Sequence, residues 1–330
     1  MHYFILTCII LNFLSLRVNA QTSIDSAYIQ AFEKANNIKS ISGLSRTAFR
    51  FSHLGNDHML NKRQIEANTC AFTGLNLNYK WLSLEYDWDI PHTAVDNQFP
   101  AIRAISLHAF QVGKKFGIEG FYQKYKGLVL PLKSSPGFDH FQNVNYNNYG
   151  VNLYYFLNHK RLSYNSAYKY SQKQIKSSGS IMLMLSPSYQ AFKVNDTLSS
   201  DISMRDKRFV EIIQREPKWF TLLARAGYTY NFIFNDGQWS INPSVLLGTG
   251  AETPLSNSKL FAHSFGLVSS YQGRLNGGYN GDNFFINLNV ILDKTLVHLD
   301  ESQLNTTNNY VSFNVGYRFK SLHKKVLGVL

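Results

Sequence analysis

Two groups of side chains in this sequence could do chemistry. Ser106 and His108, in "AISLHAF", are two positions apart, so a β-strand would place both on one face. A histidine in that position can take the proton of the serine hydroxyl, as serine hydrolases require. The second group is a row of acids, Glu85, Asp87 and Asp89, in "WLSLEYDWDI". Carboxylates on one face could act in acid–base catalysis, or they could pair with cations.

The alternation within "WLSLEYDWDI" indicates which element carries the acids. Every second residue from Leu82 to Ile90 is apolar or aromatic, and the acids lie between them. In a strand these two sets point to opposite sides of the sheet. A soluble sheet would bury the apolar side in a core, whereas a transmembrane barrel would turn it toward lipid and enclose the acids.

Composition favours the barrel. The chain has 330 residues, of which 44% are hydrophobic and only 16% are charged, and charged residues usually make up about a quarter of a soluble protein. After the N-terminus there is no run of about 18 apolar residues, so no transmembrane helix is expected. We therefore predict an all-β fold, a transmembrane antiparallel up-and-down β-barrel, with a soluble all-β protein as the alternative.

The N-terminus indicates export. "FILTCIILNFLSL" is a short apolar run, and "VNA" at residues 18–20 resembles a signal-peptide cleavage site. We predict that residues 1–20 are a signal peptide that is removed, with an N-terminal membrane anchor as the alternative. Because an exported protein does not meet nucleic acid, the formal net charge of +12 is not taken as a sign of a nucleic-acid partner.

The mature chain is predicted to have three parts. Apolar residues at helical spacing, from Ile24 to Ala35, predict a short helix in a periplasmic segment. The alternation of the barrel begins after it and recurs in many segments, among them residues 47–52, 71–79, 161–170, 239–247 and 311–319. These segments predict about twelve to fourteen strands. The predicted parts are a periplasmic segment at 21–44, the barrel at 45–319 and a C-terminal tail at 320–330.

Two segments resemble known outer-membrane proteins. The last alternating segment, "YVSFNVGYRF", resembles the closing strand of bacterial outer-membrane barrels, which implies recognition by the barrel-assembly machinery. The segment "GLNLNYKWLSLEYDWDIP" resembles the Tyr-Lys-Trp hairpin of an uncharacterised family of exported outer-membrane barrels of unknown function. The resemblance covers most of the mature chain and implies a Gram-negative outer-membrane location, but it implies no activity.

Charged residues on the polar face are predicted to line the lumen. Burying an unpaired charge is costly, so the acids should pair with cations across the barrel. The predicted network is Glu85, Asp87, Asp89, Arg46, Arg50, Arg161, Lys169, Arg225, Arg274 and Arg318. It is interpreted as a structural network of ion pairs and hydrogen bonds, with a selectivity lining for permeant ions as the alternative.

The sequence favours a non-enzymatic role. Ser106 and His108 lie on the polar, inward face, whereas lipid substrates of outer-membrane hydrolases are met at the outer wall. No zinc, calcium or phosphate-loop motif occurs, so no metal or cofactor is expected. We predict a small pore or a structural or envelope-assembly barrel in contact with outer-membrane lipid. A membrane-embedded lipid-modifying hydrolase and a surface receptor or adhesive barrel acting through outer loops are the alternatives. The sequence does not determine the oligomeric state.

Overall fold

The chain folds into strands over most of its length. A computed structural model describes residues 24–53, 63–69, 71–96, 103–112, 115–131, 138–195, 213–255, 266–298 and 302–321. In chain order the strands are β1 (Ile29–Ala31), β2 (Asn36–His53), β3 (Arg63–Ala67), β4 (Ala71–Tyr79), β5 (Leu82–Asp89), β6 (Arg103–Val112), β7 (Phe116–Pro131), β8 (Phe138–Phe156), β9 (Gln172–Gln174), β10 (Ser178–Val194), β11 (Lys218–Phe234), β12 (Trp239–Pro254), β13 (Gly266–Asn280), β14 (Phe284–His298) and β15 (Ser302–Phe319).

Twelve of these strands close into an antiparallel barrel, which confirms the predicted fold at the lower strand number. Closure comes from β2, which pairs with β4 on one side and with the last strand, β15, on the other. We call the end of the barrel where Asn36 pairs with Phe319 the terminus end, and the opposite end the loop end. Strands β1 and β9 pair separately as a two-stranded sheet.

The outer wall is apolar, as expected for a transmembrane barrel. On β12, Val245 is 59% exposed and Leu247 is 65% exposed, while Asn242 and Ser244 on the other face are buried. Strand β5 follows the same rule, because Trp88 faces outward and Asp87 faces the lumen. Alternation of this kind, apolar outside and polar inside, is typical of barrels that lie in lipid. Among the described residues, no helix is long and apolar enough to cross a membrane.

The wall loses two strands between its ends. Strands β5 and β6 cover only the half near the terminus end, and their last mutual pair is Trp88 with Ile105. Toward the loop end, β3 takes the place of β4 and pairs directly with β7 at Glu66–Val129. Strand β7 shifts register there, at Gly127, whose φ of 86° is readily adopted only by glycine. This β-bulge lets β7 exchange β6 for β3 as its partner.

The terminus end is closed by residues 157–177, which we call the plug. It contains a π-helix, Asn165–Lys169, and strand β9. Tyr170 of the plug donates a 2.6 Å hydrogen bond to the Asn276 side chain of the wall, and its ring stacks on Phe285 at 4.8 Å. The predicted strand at residues 161–170 is therefore wrong. Its alternating tyrosines pack against the inner wall of the barrel and not against lipid.

The loop end is closed by side chains, which we call the apolar cluster. At its centre lie Phe49, Tyr146, Phe192 and Trp219, all buried. The ring centroids of Phe49 and Tyr146 are 4.5 Å apart, and those of Phe192 and Trp219 are 5.8 Å apart. Inward positions are thus apolar in this half of the barrel, where the wall has fewer strands.

The predicted N-terminal helix is absent from the residues described from position 24 onward. Residues 26–28 form a turn, and residues 29–31 form β1, which pairs with β9 of the plug. The barrel itself begins at Asn36 and not at residue 45. Two apolar residues of this segment are buried: Ile29, on the strand that pairs with the plug, and Phe32, whose ring lies under the Arg318 guanidinium of β15. The predicted signal peptide, residues 1–20, and most of the predicted tail, residues 322–330, lie outside the described residues.

Candidate functional site

A cavity of about 330 Å³ lies in the lumen between the plug and the apolar cluster. Tyr168 and Lys169 of the plug line one end of it, and Trp219 and Leu223 line the other. Its side walls carry the charged residues of the lumen. This cavity is the candidate functional site, because polar and titratable groups converge there in a partly enclosed space.

The acids predicted to face inward do so. Glu85, Asp87 and Asp89 all line the cavity from β5. Glu85 pairs with Lys39 of β2 at 3.2 Å, and it also accepts a hydrogen bond from Asn76. Their apolar neighbours in "WLSLEYDWDI" face outward, so this strand is correctly predicted on both faces.

Asp87 occupies a special position among these acids. It is only 6% exposed, and its Oδ1 atom has no hydrogen-bond partner among the described residues. Its register partner on β4 is Gly74, where an added Cβ would lie 1.9 Å from that oxygen. Only glycine therefore leaves room for this carboxylate. On the other side Asp87 pairs in register with Ser106 of β6.

Ser106, His108 and Glu119 form a chain of hydrogen bonds along the inner wall. Ser106 Oγ lies 2.8 Å from His108 Nε2, and His108 Nδ1 lies 3.1 Å from Glu119 Oε1 on β7. The second carboxylate oxygen of Glu119 accepts hydrogen bonds from Asn152 Nδ2 at 3.1 Å and from Tyr154 OH at 2.5 Å. The sequence placed the serine and histidine on one inward face, but it did not indicate the glutamate.

Two predicted arginines bind polar partners on the far wall. Arg225 forms a salt bridge with Asp293 at 3.1 Å and donates to Ser270 Oγ. Arg274 donates to Tyr164 OH of the plug at 2.9 Å and lies near Tyr154 OH at 3.4 Å. These arginines therefore connect the wall, the plug and the acidic side of the lumen.

The remaining two inward cations of the predicted network, Lys169 and Arg318, hold the plug. Lys169 Nζ donates to the carbonyl oxygen of Phe110 at 3.4 Å. Arg318 is fully buried, and it donates to the carbonyl oxygens of Gly281 and Tyr170 and to the Asn280 side chain. Both serve as structural anchors at the terminus end.

Three arginines of the predicted lumen network lie elsewhere. Arg46 and Arg50 are on the outward face of β2, where Arg46 pairs with Glu66 at 2.6 Å and Arg50 donates to Gln64. The face was assigned wrongly because Phe49 points into the apolar cluster and not toward lipid. Arg161 pairs with Asp25 at 3.4 Å beyond the terminus end of the strands, and both side chains are partly exposed. The prediction that these three line the lumen is therefore wrong.

Comparison with known families identifies the chain. Residues 23–319 match the family model described as "Domain of unknown function (DUF4421)". The chain belongs to this family. The result agrees with the resemblance seen in the sequence, and this family description assigns no activity to its members. A search of curated proteins finds no match to the chain.

Solved outer-membrane β-barrels resemble this DUF4421 chain in fold. One is the outer membrane protease OmpT from Escherichia coli, with 10% identity, 88% of this chain and 98% of that chain covered, and a TM-score of 0.35. Another is the β-domain of the Bordetella autotransporter BrkA, with 8% identity, coverage of 88% and 100%, and a TM-score of 0.41. A third is an outer membrane channel from Pseudomonas putida F1, with 9% identity, coverage of 87% and 97%, and a TM-score of 0.39. At such low similarity nothing about function follows from these proteins.

Several site residues were missed from the sequence. Asp293 occupies a polar position of an alternating segment and could have been found by the same rule. Lys39 lies in the segment predicted to be periplasmic. Glu119 lies on β7, which has aromatic residues on both faces, so alternation gave no clear direction there. Among the residues the structure describes, no group of three or more His, Cys, Asp or Glu side chains could hold a metal ion.

Proposed function

We propose that this protein is an outer-membrane barrel whose lumen is closed, with a structural or envelope-assembly role, and that it is not an open pore. The observation that carries the proposal is the double closure of the lumen by the plug and the apolar cluster. Each closure has its own chemistry, because the plug is held by buried hydrogen bonds and the cluster by packed aromatic rings. A solute that crosses the barrel would have to displace both.

The apolar outer wall supports a location in the outer membrane. On the closing strand β15, Phe313, Val315 and Tyr317 all face outward and are exposed. We propose that residues 1–20 direct export and are removed, and that the terminus end faces the periplasm. Outer-membrane lipid and the barrel-assembly machinery are the proposed partners. Fractionation of the native host should recover the protein in the outer membrane, and recovery from the soluble fraction would contradict this location.

Conductance across planar lipid bilayers tests the closed lumen. One variant replaces residues 162–176 with a short Gly-Ser linker and so removes most of the plug. A second variant carries Phe49→Ala together with Trp219→Ala and so opens the apolar cluster. A third variant combines both changes. Because a solute must pass both barriers, the wild type and each of the first two variants should give no channels, whereas the combined variant should conduct.

Each protein that gives no channels must also be shown to have inserted into the bilayer. Heat-modifiable migration on a gel and resistance of the wall to protease in proteoliposomes provide that control. Stable channels from inserted wild-type protein would overturn the closed-barrel proposal. If the combined variant inserts but gives no channels, the plug and the apolar cluster are not the elements that close the lumen.

A further inference from the structure

We propose that Ser106, His108 and Glu119 form a serine esterase site in the lumen, which acts on the carboxylic ester of a membrane amphiphile. This activity goes beyond the closed-barrel role, and it requires no passage through the lumen. The Ser106–His108 distance of 2.8 Å and the His108–Glu119 distance of 3.1 Å fit one arrangement of protons. A proton on Nδ1 of the histidine is donated to Glu119, which leaves Nε2 free to accept the serine hydroxyl.

Glu119 is held by its neighbours as a positioning residue should be. Asn152 and Tyr154 both donate to its Oε2 atom, so Oε1 remains directed at His108. Strands β6 and β7 pair in the wall so that Glu119, in register with Phe110, lies diagonally across from His108. His108 stacks on Phe110 with ring centroids 5.8 Å apart. Sites built on strands hold such geometry better than sites on loops.

The two strand neighbours of Ser106 supply what an ester would need. Gln123 is its register partner on β7 and lines the cavity. Because the Gln123 side-chain oxygen accepts from Asn148 at 3.2 Å, its NH₂ group can donate to a developing oxyanion. Asp87 is its partner on β5, and the Asp87 carboxyl group lines the cavity beside the serine. The ester should therefore carry a hydroxyl or ammonium group close to the scissile bond.

The wall beside Ser106 separates the cavity from the membrane by a single layer of strands, β5 and β6. The cavity lining includes Trp88 and Ile105, which occupy outward-facing positions at the last pair between β5 and β6. The cavity lining therefore extends to residues of the lipid-facing side at the step where the wall loses two strands, one residue from the serine. A lipid-borne ester could place its polar group in the charged cavity while its acyl chain stays in the bilayer.

The reaction follows from these positions. Ser106 Oγ forms a bond to the ester carbonyl carbon, and the hydroxyl proton moves to His108 Nε2. The bond between that carbon and the alcohol oxygen then breaks, and the alcohol leaves with the proton from His108. Water attacks the acyl-serine with His108 again as base, which releases the fatty acid and restores Ser106.

Covalent labelling by a fluorophosphonate that carries a long alkyl chain tests the site. Folded, heat-modifiable wild-type protein in detergent should form an adduct, and peptide mapping should place it on Ser106. Ser106→Ala should abolish labelling, and His108→Gln should slow it at least ~100-fold. Glu119→Gln should slow it strongly while Glu119→Asp restores part of the rate, a pattern that a purely structural role would not produce. Ser188→Ala is the matched control, because Ser188 lines the same cavity from β10, and it should label like the wild type.

The same experiment can overturn the assignment. Absence of an adduct on Ser106 in folded wild-type protein would overturn the esterase site, and so would undiminished labelling of His108→Gln. Equal labelling rates for the long alkyl probe and a short hydrophilic phosphonate would overturn the assignment of a membrane amphiphile as substrate. Channel recordings test the closed lumen separately, so the two proposals can fail independently.

Discussion

Replacement of Arg318 tests how the plug is held. This side chain is fully buried, and its guanidinium donates to Gly281 O, Tyr170 O and Asn280 Oδ1. It also lies 3.7 Å from the ring centroid of Phe32, so it joins the last strand, the plug and the N-terminal segment. Arg318→Met keeps much of the volume but leaves three buried acceptors without their donor.

The expected loss can be worked out from these contacts. Each buried acceptor without a partner costs about 1–3 kcal/mol. Part of the total for the three acceptors is offset, because the variant no longer buries a charged guanidinium. We expect Arg318→Met to lower the free energy of unfolding by about 2–5 kcal/mol. The matched control is Arg161→Met, since Arg161 is more than half exposed and pairs with Asp25 at 3.4 Å. That change should cost less than about 1 kcal/mol.

Urea titration in phospholipid vesicles, followed by tryptophan fluorescence, measures both variants. Trypsin cleavage within the plug, at Lys173 or Lys176, reports whether the plug detaches before the barrel unfolds. Arg318→Met should shift the unfolding midpoint and expose the plug to trypsin, while Arg161→Met should do neither. If the two variants unfold within about 1 kcal/mol of each other and resist trypsin equally, Arg318 does not anchor the plug and the reasoning is refuted.

Three further changes test the wall and the apolar cluster. Leu247→Arg, on the lipid-facing side of β12, should cost about 2–4 kcal/mol in vesicles, and a neutral result in the same urea titration would argue against a lipid-facing wall. Gly127→Ala should destabilise by roughly 1 kcal/mol or more because φ is positive there, and unchanged thermal unfolding on a heat-modifiability gel would contradict the strain. Phe49→Ala should cost about 3–5 kcal/mol through the cavity it leaves, and a loss below 1 kcal/mol would show that the cluster repacks.

The sequence was most informative where one strand face meets lipid and the other meets polar groups. The acids of β5 and their outward tryptophan obey that rule, as do Ser106 and His108 on β6. Strand β2 disobeys it near the loop end, because Phe49 points inward to other aromatic rings. Alternation shows that the two faces of a strand differ. It does not show which face contacts lipid when the residues that face the lumen are also apolar.

Contacts between distant parts of the chain could not be predicted from the pattern. Glu119 reaches His108 only because β6 and β7 pair in a particular register, and a shift of one residue would turn it to the other face. The plug shows the same limit, since its tyrosines alternate like a strand but satisfy their hydroxyls on the inner wall. Tyr168 OH, for instance, lies 3.1 Å from Ser244 Oγ of β12.

The change in strand number along the barrel explains why its two ends are closed differently. The diameter of a barrel grows with its number of strands, and about eight strands enclose a space that side chains alone can fill. Toward the loop end, where β3 replaces β4 and neither β5 nor β6 continues, the wall narrows and aromatic side chains such as Phe192 suffice. Near the terminus end all twelve strands are present, and the wider lumen needs a segment of chain to fill it. The cavity then lies between the plug and the apolar cluster, level with the step in the wall, which is why Ser106 faces free space in the lumen and not a packed core.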